Sequence, residues 1–115
     1  MIFLDNRQAK ATFPITIGAM LYEIEFTEGL SSRGDAMYGL LDPEKLKMAI
    51  DSSQPLQRQV LTVLHESLHA IDTQSALDLD ETQVKVLAFQ LMQLLRSNPG
   101  LIKEMLEVLK DGNDA

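Results

Sequence analysis

The sequence predicts an α+β fold in which a small antiparallel sheet comes first and helices follow. Short runs in the first 50 residues alternate between apolar and polar side chains, which is the period of half-buried strands. From about residue 52 onward the apolar residues recur every three or four positions, which is the period of helices packed along one side. A chain of 115 residues suffices for one domain, so we expect residues 1–115 to form a single unit.

Four segments predict the sheet. The alternating segments 15–17 and 22–26 flank a short connection that contains Gly18, which is the pattern of a β-hairpin. Segments 38–41 and 46–51 predict a third and a fourth strand, with a turn at Asp42-Pro43-Glu44 because proline fixes the backbone angle that a turn requires. A helical interpretation of residues 40–50 stays open at this point.

Three helices are predicted after the sheet. The first, long helix begins near Ser52-Ser53-Gln54-Pro55, with a serine as its N-cap, and runs to about Gln74. Its expected buried stripe comprises Leu61, Leu64, Leu68 and Ile71. A second long helix opens at 78–80 and ends at 98–100. A short amphipathic C-terminal helix over 101–109 is expected to close the core rather than pair with a second copy, and 111–115 to form a frayed tail.

Composition excludes several classes of protein. Without cysteine the chain has no disulfide framework, no thiolate nucleophile and no cysteine-based zinc site. The 17 acidic and 10 basic residues give a net charge of −7, which opposes nucleic-acid binding. No apolar run approaches the ~18 residues that span a bilayer, and the N-terminus lacks the pattern of a signal peptide. We therefore expect a cytoplasmic protein with neither nucleic acid nor membrane as its partner.

The residues that carry chemistry are His65-Glu66-Ser67-Leu68-His69, an H-E-x-x-H motif on the first predicted helix. Side chains four residues apart lie one turn above each other, so both imidazoles project from one face and suit a tetrahedral Zn²⁺. Glu66 lies about 100° around the helix from His65, so it cannot share the ligand position. It is placed to act as the general base toward a water that the metal acidifies.

A catalytic zinc site needs a third protein ligand, and without further His or Cys it must be a carboxylate. Three candidates follow the motif. Asp72 is expected to hydrogen-bond an imidazole or to be solvated, and Asp80 to cap the second helix with Gln83 in a capping box. Glu81 lies in the first turn of that helix, on the side that faces the motif helix, so we predict it as the third metal ligand with His65 and His69.

This layout resembles the gluzincin branch of the zincin metallopeptidases, in which a glutamate on a second helix follows H-E-x-x-H. More closely, the chain is similar to small phage and bacterial proteins related to the ImmA/IrrE metallopeptidases over about residues 13–99. The matching stretches are Ile15-Thr16-Ile17-Gly18, Tyr22-Glu23-Ile24, Tyr38-Gly39, Ile50-Asp51, 60–72, 79–84, Leu87-Ala88 and Asn98-Pro99.

The resemblance implies a minimal zincin-like fold, with a short sheet packed on the motif helix and an edge strand, Leu46 to Asp51, bordering the cleft. It also implies zinc, hydrolysis of peptide bonds, and a protein or peptide substrate bound along the edge strand. One departure affects the ligand set: the family often has its glutamate four residues before an apolar-Ala pair, and counting back from Leu87 reaches Gln83. The alternative function is therefore a catalytically impaired accessory or regulatory binding protein on the same fold.

Overall fold

The computed structural model describes residues 12–32, 35–36 and 38–110, and in these the α+β prediction is confirmed. The predicted tail at 111–115 lies outside the described residues. The strands are β1 (Thr12–Ile17), β2 (Met20–Thr27), β3 (Ser31–Ser32), β4 (Asp35–Ala36), β5 (Gly39–Asp42) and β6 (Lys47–Asp51). The helices are α1 (Leu56–Ser75), α2 (Glu81–Ser97) and α3 (Pro99–Lys110).

The main sheet has four strands in the order β1-β2-β6-β5, while β3 and β4 form a separate small pair. The predicted hairpin is confirmed, with Gly18 in the left-handed conformation (φ 59°) at the turn between β1 and β2. The sheet is mixed rather than wholly antiparallel, because β6 pairs in parallel with β2. After β2, β3 and β4, the chain forms β5 at the edge of the main sheet opposite β1. It then reverses direction and forms β6, which lies between β5 and β2.

This strand order corrects the expected edge of the sheet. The segment 46–51 contains β6, which is an inner strand paired on both sides, so it does not border open space. The edge strand on this side of the sheet is β5, which within the described residues pairs with β6 alone, while β1 forms the opposite edge. The family resemblance implied the edge position of 46–51, and the local alternation of side chains could not correct it, because alternation predicts a strand but not its neighbours.

Helix α1 packs against the sheet on one side and against α2 on the other. Its most buried residues are therefore not the predicted leucine stripe. They are Gln59, Thr62, Glu66 and Ala70. The leucines at 61, 64 and 68 are only partly buried and lie on the opposite side of the helix, and Ile71 is 40% exposed. The expected serine cap is also wrong, because the N-cap is Pro55 and makes no side-chain hydrogen bond.

The core lies between the sheet and α1. It consists of Ile17, Tyr22, Ile24, Phe26, Met48, Ile50 and Ala70. Helix α2 buries Val84 and Ala88 and begins at the predicted capping box of Asp80 and Gln83. Helix α3 buries none of its residues, so the expectation that it closes the core is wrong. No described helix has both the length and the apolar character that a membrane span requires.

Candidate metal centre

Helix α1 brings the two histidines of the motif together. His65 and His69 lie one turn apart, with their ring centroids separated by 4.9 Å. Their Nε2 atoms face each other at 3.2 Å. The spacing of four residues in a straight helix produces this arrangement without any contribution from the rest of the fold.

Glu81 meets both imidazoles from the first turn of α2. Its Oε1 lies 2.8 Å from Nε2 of His65, and its Oε2 lies 3.0 Å from Nε2 of His69. The capping box fixes where α2 begins, since the Asp80 carboxylate accepts a hydrogen bond from the Gln83 N–H at 2.7 Å. The residue directly after that cap is Glu81, so the cap determines which carboxylate faces the histidines.

The donor atoms of this group fit a metal ion in number, type and spacing. One atom from each of His65, His69 and Glu81 lies within 4.8 Å of the others. A tetrahedral zinc ion with ligands at 2.0–2.1 Å needs neighbouring donors about 3.3 Å apart. The imidazole nitrogens are 3.2 Å apart, and each lies close to a different oxygen of the Glu81 carboxylate, Oε1 at 2.8 Å from His65 and Oε2 at 3.0 Å from His69. The group could therefore hold a metal ion.

The other ligand candidates are engaged elsewhere. The carboxylate of Asp72 accepts a hydrogen bond from the Leu79 N–H at 3.2 Å, in the loop between the helices, rather than holding an imidazole. The amide oxygen of Gln83 accepts from the Asp80 N–H at 2.9 Å, which completes the capping box. Asp80 and Gln83 therefore position Glu81, and their own side chains are occupied in the cap.

Glu66 lies between the histidines along the chain but points to a different environment. It is 8% exposed, on the side of α1 that faces the sheet, and it lines the same cleft as the histidines. Burial raises the pKa of Glu66 above its ordinary value, an effect that His69 opposes and Glu81 reinforces. Burial also lowers the pKa of His65, although Glu81 acts in the opposite direction there, so the neutral imidazole that binds metals is favoured.

Buried polar side chains fix the start of β5 above α1. Gln54 donates a hydrogen bond from its amide to the Tyr38 carbonyl at 3.2 Å and accepts one from the Thr62 hydroxyl at 3.3 Å. Gln59 donates to the Ser52 and Gln54 carbonyls at 3.3 Å and 3.0 Å. These bonds explain why the sheet-facing side of α1 is polar, because the helix must hold a loop and an edge strand as well as pack on the core.

The cleft has a volume of about 950 Å³ and lies between β5, α1 and α2. Besides the four motif and ligand residues, its lining includes Gly39, Leu40, Arg58, Lys85 and Phe89. Sequence reasoning missed all five as site residues. Arg58 lies seven residues before His65, and Lys85 and Phe89 lie four and eight after Glu81, so helical periodicity carried a signal for these three.

Arg58 and Tyr38 form one end of the cleft. The guanidinium carbon of Arg58 lies 4.3 Å from the centre of the Tyr38 ring, which is a cation–π contact.

No family model matches the chain, and no curated protein or solved structure is found similar to it. The zincin-like resemblance therefore stays a prediction.

Proposed function

We propose that this chain is a zinc-dependent metallopeptidase that hydrolyses peptide bonds of a protein or peptide substrate in the cytoplasm. The observation that carries the proposal is the convergence of His65, His69 and Glu81 beside the buried carboxyl group of Glu66, in one open cleft. Two imidazoles and one carboxylate are a ligand set of catalytic zinc sites, which leave one position free for water or substrate. The H-E-x-x-H resemblance supports the same assignment.

The residues divide into ligands and a base. His65, His69 and Glu81 would hold the ion, which when bound polarises a peptide carbonyl and acidifies water. Glu66 takes the proton of the attacking water and delivers it to the departing amide nitrogen, so one carboxyl group serves as base and then as acid. Glu66 is buried on the sheet-facing side of α1 and lines the cleft, so it exchanges protons with groups in the cleft.

The edge strand supports a peptide as the substrate. β5 borders the cleft, and the side of it that no other described strand pairs with offers backbone groups to which an extended chain can pair as an added strand. Leu40 and Phe89 provide apolar surface on opposite walls, which suits alternate side chains of such a peptide. The cleft is open rather than enclosed, as a polypeptide passing through it requires.

The proposal is tested with Glu66→Gln, which removes the base and keeps the shape of the side chain. The variant should retain zinc in equal amount and lose at least about 100-fold of the turnover of unfolded casein, since positioned proton transfer contributes ~10²–10⁴-fold. Glu107→Gln, an exposed glutamate on α3, is the matched control and should keep full activity. If Glu66→Gln keeps more than a tenth of the wild-type turnover, Glu66 is not the base. If the variant loses its zinc, Glu66 acts as a ligand instead.

A second candidate is a regulatory binding protein on the same fold. It is favoured by the direct contacts of Glu81 with His65 and His69, because a carboxylate between two imidazoles can satisfy this cluster without an ion. Gln83 stands where the resembled family often has its glutamate, and this also favours the second candidate. This candidate predicts a folded, monodisperse protein that takes up no zinc and cleaves no casein, whereas the peptidase predicts zinc and turnover together.

A further inference from the structure

Helix α3 has an apolar face that nothing in the described part of the chain covers. Five large apolar side chains on it are 50–70% exposed. They are Leu101, Met105, Leu106, Val108 and Leu109. The four charged residues of the helix, at 103, 104, 107 and 110, fall on its opposite side when placed at 100° per residue. A helix so divided is built to bury one side, yet none of its residues is buried.

One flank of α2 carries a second exposed apolar surface. Leu87, Leu91, Leu94 and Leu95 lie within about 100° of one another around the helix and are 37–52% exposed. Only Asn98 separates α2 from α3, so the two apolar surfaces are adjacent along the chain. These four leucines and the five apolar residues of α3 are called the α2–α3 face below.

We propose that the α2–α3 face is the interface of a homodimer, in which each copy covers the face of the other. The nine side chains present on the order of 800 Å² of accessible surface, which is what each partner buries in a standard stable interface. The largest apolar patch of a typical monomer is smaller, roughly 300–600 Å². A two-fold axis places the same patch on both copies, so an apolar face meets an apolar face without needing a separate complementary surface.

The distribution of charge favours a second copy over a basic partner. The whole chain has 17 acidic and 10 basic residues, but residues 81–110 have only three acidic residues and four basic ones. The excess of negative charge therefore lies outside α2 and α3. Two copies joined through the α2–α3 face bring together nearly neutral helices, so like-charge repulsion does not oppose their association.

The interface leaves the cleft open. Lys85 and Phe89 line the cleft from α2, whereas Leu87, Leu91 and Leu94 lie about 170° and Leu95 about 100° around the helix from them. None of the four leucines lines the cleft, so zinc uptake is not expected to depend on the dimer. The inference stands apart from the peptidase proposal for the same reason.

Sedimentation velocity of the full chain tests the inference. Wild-type protein at about 50 µM should sediment with twice the monomer mass of 12.8 kDa and dissociate on dilution. The double variant Leu106→Glu/Leu109→Glu should be monomeric at that concentration with an unchanged circular dichroism spectrum, since both leucines are exposed and glutamate is also a good helix former. Glu107→Lys, on the charged side of α3, is the control and should remain dimeric.

Two results overturn the inference. A wild-type chain that stays monomeric up to about 500 µM has no such interface, and this dilution series needs no variant. A double variant that remains dimeric associates through another surface. If a different protein covers the α2–α3 face, the isolated chain gives the first of these results.

Discussion

The close packing of the edge strand β5 on the motif helix α1 can be tested by adding one methyl group at Gly39, the first residue of β5. A Cβ atom built on Gly39 would lie 2.5 Å from Cγ2 of Thr62 and 3.1 Å from Cγ of Glu66. Carbon atoms in contact prefer about 3.5–4.0 Å, so β5 and α1 would have to separate by roughly 1 Å. Thr62 cannot easily rotate away, because its single hydroxyl proton is shared between the Arg58 carbonyl at 2.7 Å and the amide oxygen of Gln54 at 3.3 Å.

Gly39→Ala is therefore expected to lower the free energy of unfolding by about 1–3 kcal/mol, the usual cost of overfilling a packed interface. If the peptidase proposal holds, turnover should fall on the order of 100-fold, since a displacement of about 1 Å at a catalytic group has that effect. Zinc content should not change, because the ligands His65, His69 and Glu81 lie on α1 and α2.

Urea unfolding, casein cleavage and zinc analysis of purified Gly39→Ala measure these three effects. Gly100→Ala is the matched control, because a Cβ atom there meets nothing within 4 Å and the residue lies in the first turn of α3. The control should equal or slightly exceed the stability of the wild type. A Gly39→Ala protein as stable and as active as wild type would refute the close packing of β5 on α1.

Other residues yield three further predictions. Glu81→Ala should weaken zinc binding at least about tenfold in competition titrations, and Asp72→Ala and Gln83→Ala should do less; equal affinity in wild type and Glu81→Ala removes it from the site. In metal-free protein, Glu66→Gln should raise Tm at neutral pH, because burial raises the pKa of Glu66 and its charged form destabilises the fold above that pKa. This gain should shrink in thermal melts as pH falls below the raised pKa of Glu66, and it should vanish below the ordinary pKa of a glutamate, where the native and the unfolded carboxyl are both protonated; a pH-independent difference contradicts it. Gln74→Ala should lower the free energy of unfolding by about 1–2 kcal/mol, because the Gln74 side chain holds the hairpin through two hydrogen bonds. Its amide N–H donates to the Ile17 carbonyl at 2.7 Å, and its amide oxygen accepts from the Ala19 N–H at 3.2 Å. An unchanged urea unfolding curve contradicts this prediction.

The parts of the fold that depend only on residues close together in the sequence were predictable. The hairpin around Gly18, the helices and the capping box at Asp80 each have a local pattern, and each is confirmed. Strand order is not local, so neither the parallel pairing of β6 nor the edge position of β5 could be predicted. The leucine stripe of α1 was misassigned because this helix packs on two sides, and the pattern does not say which side is the more buried.

The candidate site also has a part that follows from local sequence and a part that depends on how the helices pack. His65 and His69 share one helix, so their spacing alone places them together. Glu81 reaches them only through the packing of α2 on α1, and the sequence predicted it over Asp72 and Asp80 from its place in the first turn of α2. The packing of Gly39 on α1 had no local signal at all, because the atoms it would meet belong to Thr62 and Glu66.

X-ray absorption spectroscopy of the zinc-loaded chain tests the central claim most directly. The proposed site predicts one zinc ion per chain with nitrogen and oxygen neighbours at about 2.0–2.1 Å, two of them imidazoles from His65 and His69. Glu81→Ala should lose the carboxylate contribution and keep both imidazoles. A chain that retains no zinc after dialysis against excess metal, or a spectrum with fewer than two imidazoles, would contradict the assignment.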